Sequence, residues 1–153
     1  MQHLDSFMLY RFANELVAHR ISATEDPCAD AAAVVSEAAR VALTARPGEA
    51  EQVVSDACYG GLQALFMAGQ DLSRGSALML EAMAELGGPL GLDPADLMRY
   101  SLDGFARMRG LITQGQIIDI LDTLERHFNG TGEAFAAALA RQPVIGLTRS
   151  SAR

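Results

Sequence analysis

Histidine is the residue most open to chemistry at neutral pH, and this chain holds three, His3, His19 and His127. Glu15 and His19 stand four residues apart, on one face of any helix that contains them, a spacing that lets a pair share a proton or begin a metal site. A full metal site needs further ligands from other helices, and the Glu-x-x-His pairs that build di-iron bundles are absent. Tyr59, in a polar stripe with Gln52, Asp56 and Gln63 at helical spacing, is the third candidate, so an enzyme built on this chain would rest on Glu15, His19 and Tyr59. A haem-binding helical fold is excluded, because its proximal imidazole would lie between His19 and His127, where no histidine occurs. A phosphorelay histidine fits Ala18-His19-Arg20-Ile21-Ser22 poorly, since the basic and glycine neighbours expected of such a segment are missing.

The remaining clusters read as surface chemistry. Asp119, Asp122 and Glu125 recur at three-residue steps, and Arg126 is in helical reach of Asp122, which describes a solvated charged face. Arg99 and Arg107 are matched at helical spacing by Asp96 and Asp103. Gly87 to Gly91 follows a helix and lacks the lysine of a phosphate loop. Cys28 and Cys58 offer neither a disulfide framework nor metal spacing, so free buried thiols are expected. No metal and no cofactor is predicted.

These side chains must be positioned by helices. β-branched residues are sparse and never alternate, while Ala, Leu, Val and Met supply the apolar positions. The expected fold is an all-α compact bundle of six to seven helices, one domain over residues 1–142, with a C-terminal tail from 143 to 153. The first helix, about Asp5 to Ile21, places Met8, Leu9, Phe12 and Leu16 inward and Arg11, Asn14 and Ala18 opposite. Asp26-Pro27 and Asp93-Pro94 each read as a cap followed by proline at the first helical position. The helix after Asp26-Pro27 turns Val34, Val35, Ala38, Val41 and Ala42 inward. A third helix, about Glu49 to Gln70, carries the polar stripe Gln52, Asp56, Tyr59 and Gln63 and the small-residue face Ala57, Gly61, Ala64 and Ala68. Mid-helix glycines cost about 1 kcal/mol each relative to alanine, so a neighbouring helix is expected close against them. The nearly polar-free helix from about Ser73 to Leu86 is expected to be central. The fifth helix, to about Arg109, turns Leu97, Ser101, Phe105 and Met108 inward, Thr113 and Gln116 suit a capping box, and Thr131 is the expected cap of a last short helix.

Composition bounds the function classes. With 12 basic against 19 acidic residues the formal net charge is −7, which repels phosphate backbones and anionic lipid, so no nucleic-acid partner is expected. No apolar stretch reaches membrane-spanning length. Met1-Gln2-His3-Leu4-Asp5 lacks the basic start of a secretory signal, and a cytoplasmic protein is expected. The leading expectation is a non-enzymatic helical interaction or regulatory module that binds a partner protein or itself as a homodimer, using Phe7, Tyr10, Ala57 and Gly61. The first rival is a ligand-binding or sensory domain with an apolar pocket lined by Met67, Met79 and Met83, and the enzyme is the third.

Overall fold

A computed structural model describes residues 2–22 and 24–143, with side chains described from Leu9 onward except that of Ala23. The expectations placed on Phe7, on Met8 and on the tail beyond Pro143 therefore lie outside the described side chains. The described residues form seven helices: α1 (Gln2–Ile21), α2 (Pro27–Ala45), α3 (Ala50–Met67), α4 (Leu72–Glu85), α5 (Pro94–Ala106), α6 (Gln114–His127) and α7 (Thr131–Arg141). Short helical turns at Pro47–Glu49, Gly87–Leu90 and Arg107–Gly110 link them, and no strand occurs among the described residues. The segment after Leu86, read from the sequence as a plain break, makes one helical turn before Gly91 enters the left-handed region at φ 69°.

The starts of the helices follow from their caps. The Asp26 carboxylate accepts from Ala29 N–H and the Asp93 carboxylate from Ala95 N–H, each with proline just inside the helix. Thr113 and Gln116 form the reciprocal capping box at α6. Asp71 caps α4 through the N–H groups of Ser73 and Arg74. At α7 the sequence expectation fails. The Thr131 hydroxyl turns back to donate to the carbonyls of Leu124 (2.7 Å) and Phe128 (2.6 Å). The helix start is held instead by Glu125, whose carboxylate accepts from the N–H groups of Gly130 (3.0 Å) and Gly132 (3.0 Å). Glu125 is thus not simply part of a solvated face: a carboxylate at a helix N-terminus meets unsatisfied donors and the positive end of the dipole.

The helices stand in two rows, α1–α3–α5–α7 and α2–α4–α6, and every substantial packing joins helices one or two places apart along the chain. The central position expected of the fourth helix is confirmed: α4 packs on α2, α3, α5 and α6, with Met79, Leu80 and Met83 fully buried. Close approach at α3 is equally plain. A Cβ built on Gly60 would fall 2.5 Å from the Tyr10 carbonyl oxygen of α1, and one on Gly104 would fall 2.5 Å from the Ser55 carbonyl oxygen of α3. Gly61 faces Val35 of α2 and Met79 of α4. Glycine lets these backbones meet, and the packing offsets its low helix propensity.

The inward face of α1 differs from the sequence expectation. Its buried positions are Leu9, Ala13, Val17 and Ile21, while Phe12 is 55% exposed and Leu16 is 37% exposed. The reason lies across the contact: Gly60 leaves room for a backbone, and small Ala13 seats there where a bulkier residue would hold α1 away. Val41 of α2, expected inward, is likewise 55% exposed.

Candidate functional site

Rotating α1 onto Gly60 leaves its larger side chains beside α2. Leu9, Phe12 and Leu16 form one wall of an open groove of about 700 Å³, and Val34, Ala38, Val41, Ala42 and Ala45 line the other. His19 and Arg20 lie at one end, Arg46 at the other, and Glu37 part of the way along. The Glu37 carboxylate accepts from Arg40 Nε at 3.1 Å and forms an ion pair with its Nη2, and Arg46 lies 3.6 Å from Glu49. Among the described residues the other exposed large apolar side chains are Met67 at the end of α3, Leu111 before α6 and Ile118 on α6, so the exposed apolar surface described is concentrated in this groove.

A second constellation is polar and lies along α3. Tyr10 of α1 donates its hydroxyl to Gln63 Oε1 at 2.7 Å, and Asn14 donates to the same oxygen at 3.1 Å and to the Gly60 carbonyl at 3.3 Å. The Tyr10 ring stacks on Tyr59, with centroids 5.0 Å apart and planes 18° from parallel. The Arg107 guanidinium covers Tyr59 at 4.2 Å, donates to Asp56 Oδ1 at 2.8 Å and reaches the Ser55 hydroxyl at 3.2 Å. Gln52 donates to the same Asp56 oxygen at 2.9 Å. The sequence expectation that Arg107 pairs with Asp103 is overturned: Arg107 crosses to α3, and Asp103 binds Arg141 at 2.7 Å instead. Arg99 does pair with Asp96, at 3.0 Å. The polar stripe read on the third helix is therefore a fastening that ties α1 and the turn after α5 onto α3. Cation–π and stacked-ring contacts reinforce it along a half-buried seam.

The sequence candidates for catalysis do not share a site. Glu15 and His19 are exposed on α1, His19 beside the groove, while Tyr59 is half-buried on α3 under Arg107. Among the described residues no hydrogen bond or common cavity joins the three, and no group of three or more His, Cys, Asp or Glu side chains is placed to hold a metal ion. Burial pushes the Tyr59 phenol up, the nearby Tyr10 adds to this, and Arg107 acts against it. Burial raises the Cys28 thiol and pushes Cys58 up to about 12 despite a hydrogen bond with Ser101. Both cysteines are buried and free, as expected, and neither is an activated nucleophile.

The three methionines do not line a common pocket. Met67 is 76% exposed at the end of α3, whereas Met79 and Met83 are buried in the core of α4. Of the proposed interface residues, Ala57 and Gly61 are buried inside the chain's own bundle, and Tyr10 is engaged with Gln63 and Tyr59. Sequence reasoning missed Phe12, Leu16 and Val41 as surface residues. A signal was present in the i, i+4 series Leu9, Ala13, Val17, Ile21, a second apolar stripe that competes with the one through Phe12. No family model, curated protein or solved structure matches this chain.

Proposed function

We propose that this chain is a non-enzymatic protein–protein interaction module that receives an amphipathic helix of a partner protein in the groove between α1 and α2. The observation that carries the reading is the joint exposure of Phe12, Leu16 and Val41 along one groove whose walls are otherwise apolar. Scattered apolar side chains on a surface need no explanation, but a contiguous apolar strip bordered by charge is what a docked helix covers with anchors three, four and seven residues apart. The openness of the strip speaks against a small-molecule pocket, which buries most of its ligand's surface. The separation of Glu15, His19 and Tyr59 speaks against catalysis.

Backbone amide chemical shifts of the isotopically labelled protein, followed while an amphipathic helical peptide with a Leu/Phe stripe is added, test this. The expected result is a set of saturable changes confined to α1 and α2. Saturable changes centred on α6 and α7, or none at all, overturn the reading.

A further inference from the structure

The groove carries a charge pattern opposite to that of the protein around it. The whole chain has 12 basic and 19 acidic residues, yet in the groove lining two arginines, Arg20 and Arg46, stand against the single acid Glu37, with His19 beside Arg20. Internal pairing accounts for part of this set, since Glu37 is bound by Arg40 and Arg46 lies beside Glu49. His19 and Arg20 make no side-chain hydrogen bond or ion pair among the described residues, and both are exposed. The five-residue connection between Ile21 and Pro27 makes α1 and α2 antiparallel neighbours. Their dipoles therefore oppose each other, and side chains set the potential at each end of the groove.

We propose that the helix held by this groove is an acidic one, with carboxylates flanking its apolar stripe and its most acidic end lying over His19 and Arg20. The inference rests on the helix-docking reading. From Leu9 to Arg20 the groove runs about 16 Å at 1.5 Å per residue, the length of some three helical turns, so anchors at i, i+3 or i+4, and i+7 fill it while the flanking residues reach its charged ends. Two other occupants fit less well. The segment after Pro143 supplies Val144, Ile145 and Leu147 but carries Arg149 and Arg153 with no acid, the wrong sign for this end of the groove. Among the described residues, the acidic helix that a second copy would offer, α6, exposes one large apolar side chain, Ile118, where the groove takes three anchors.

Two fluorescent helical peptides with the same Leu/Phe stripe, one flanked by Glu and the other by Lys, distinguish these cases by anisotropy titration. The wild type is compared with Val41→Glu and with the double variant His19→Ala, Arg20→Glu, all at exposed positions whose replacement leaves the core intact. The Glu-flanked peptide is expected to bind about tenfold more tightly, the sum of two or three exposed ion pairs, with the advantage shrinking as salt is raised. The double variant should erase that preference, and Val41→Glu should abolish binding of both peptides. Equal affinities for the two peptides overturn the acidic-partner inference and leave helix docking standing. Failure of both peptides to bind, or binding that survives Val41→Glu, overturns helix docking itself. Concentration-dependent dimerisation in sedimentation that Val41→Glu removes assigns the groove to a second copy and likewise overturns the proposal.

Discussion

Replacing Gly60 with alanine sets two effects of known sign against each other. In an unconstrained helix the change stabilises by about 1 kcal/mol, because alanine loses less backbone freedom. Here the new Cβ would lie 2.5 Å from the Tyr10 carbonyl oxygen, 3.2 Å from the Asn14 nitrogen and 3.3 Å from the Ala13 Cβ. Close carbon–oxygen contacts sit near 3.3 Å, so α1 must withdraw by about 0.8 Å. None of these atoms ends a flexible side chain, and the helix can only move as a body. Withdrawal lifts Ala13 and Val17 from α3 and stretches the hydrogen bonds that Tyr10 and Asn14 make to Gln63 at 2.7 and 3.1 Å. Overpacking costs about 1–3 kcal/mol, and weakening two hydrogen bonds adds about 1 kcal/mol, so the net loss expected after the propensity gain is about 1–3 kcal/mol. For a domain of this size that lowers Tm by roughly 2–4 °C for each kcal/mol. Gly115→Ala is the control, because its new Cβ would meet only the Thr113 hydroxyl at 3.8 Å, and its Tm should stay level or rise slightly. Calorimetry and urea unfolding measure both. A Gly60→Ala protein as stable as the wild type would show that α1 does not rest on α3 in this way.

The fastening on α3 should behave as a unit. Asp56→Asn and Arg107→Met should each destabilise by about 1–3 kcal/mol, and the double variant should lose less than the sum by about 1 kcal/mol or more; additive losses in urea unfolding would show that the two side chains are energetically independent. Cys58 sets an alkaline limit. Its thiol is raised from an ordinary value of 9.0 to about 12, so above pH 9 the unfolded thiol ionises while the folded one stays protonated. Stability is intact below pH 9 and declines up to about pH 12, and over that range Cys58→Ala should flatten the slope by up to about 1.4 kcal/mol per pH unit. An unchanged slope in the variant would remove Cys58 as the cause.

What the sequence made legible was decided locally, and what it hid depended on contacts across the bundle. The caps at Asp26, Asp93 and Thr113 are formed within a few residues, so spacing alone located them. Thr131 misleads as a cap because the donors at the start of α7 are met by Glu125, a residue of the preceding helix. Size and hydrophobicity favour Phe12 and Leu16 over Ala13 as core residues. The choice of face is made by Gly60, which lies 47 positions further along. Spacing matches Arg107 to its nearest acid in sequence, Asp103, although Asp56 provides a more buried carboxylate across the interhelical contact. The candidate site was hidden for the same reason, since it consists of the apolar side chains that a small-residue contact left outside.

The two-row packing also bears on how the chain acquires its structure. Because every substantial packing joins helices no more than two places apart, a helix leaving the ribosome finds its earlier packing neighbours already made and need not wait for a distant segment. Loop closures are short at each step, which favours rapid folding. Assembly can advance from α1 toward α7, with each addition covering the apolar edge left by the one before. The edge beside α1 and α2 differs from the others, since no later helix of the described chain returns to it. It is complete once α3 has docked on α1, and a partner helix could engage it on a nascent chain before α7 has formed.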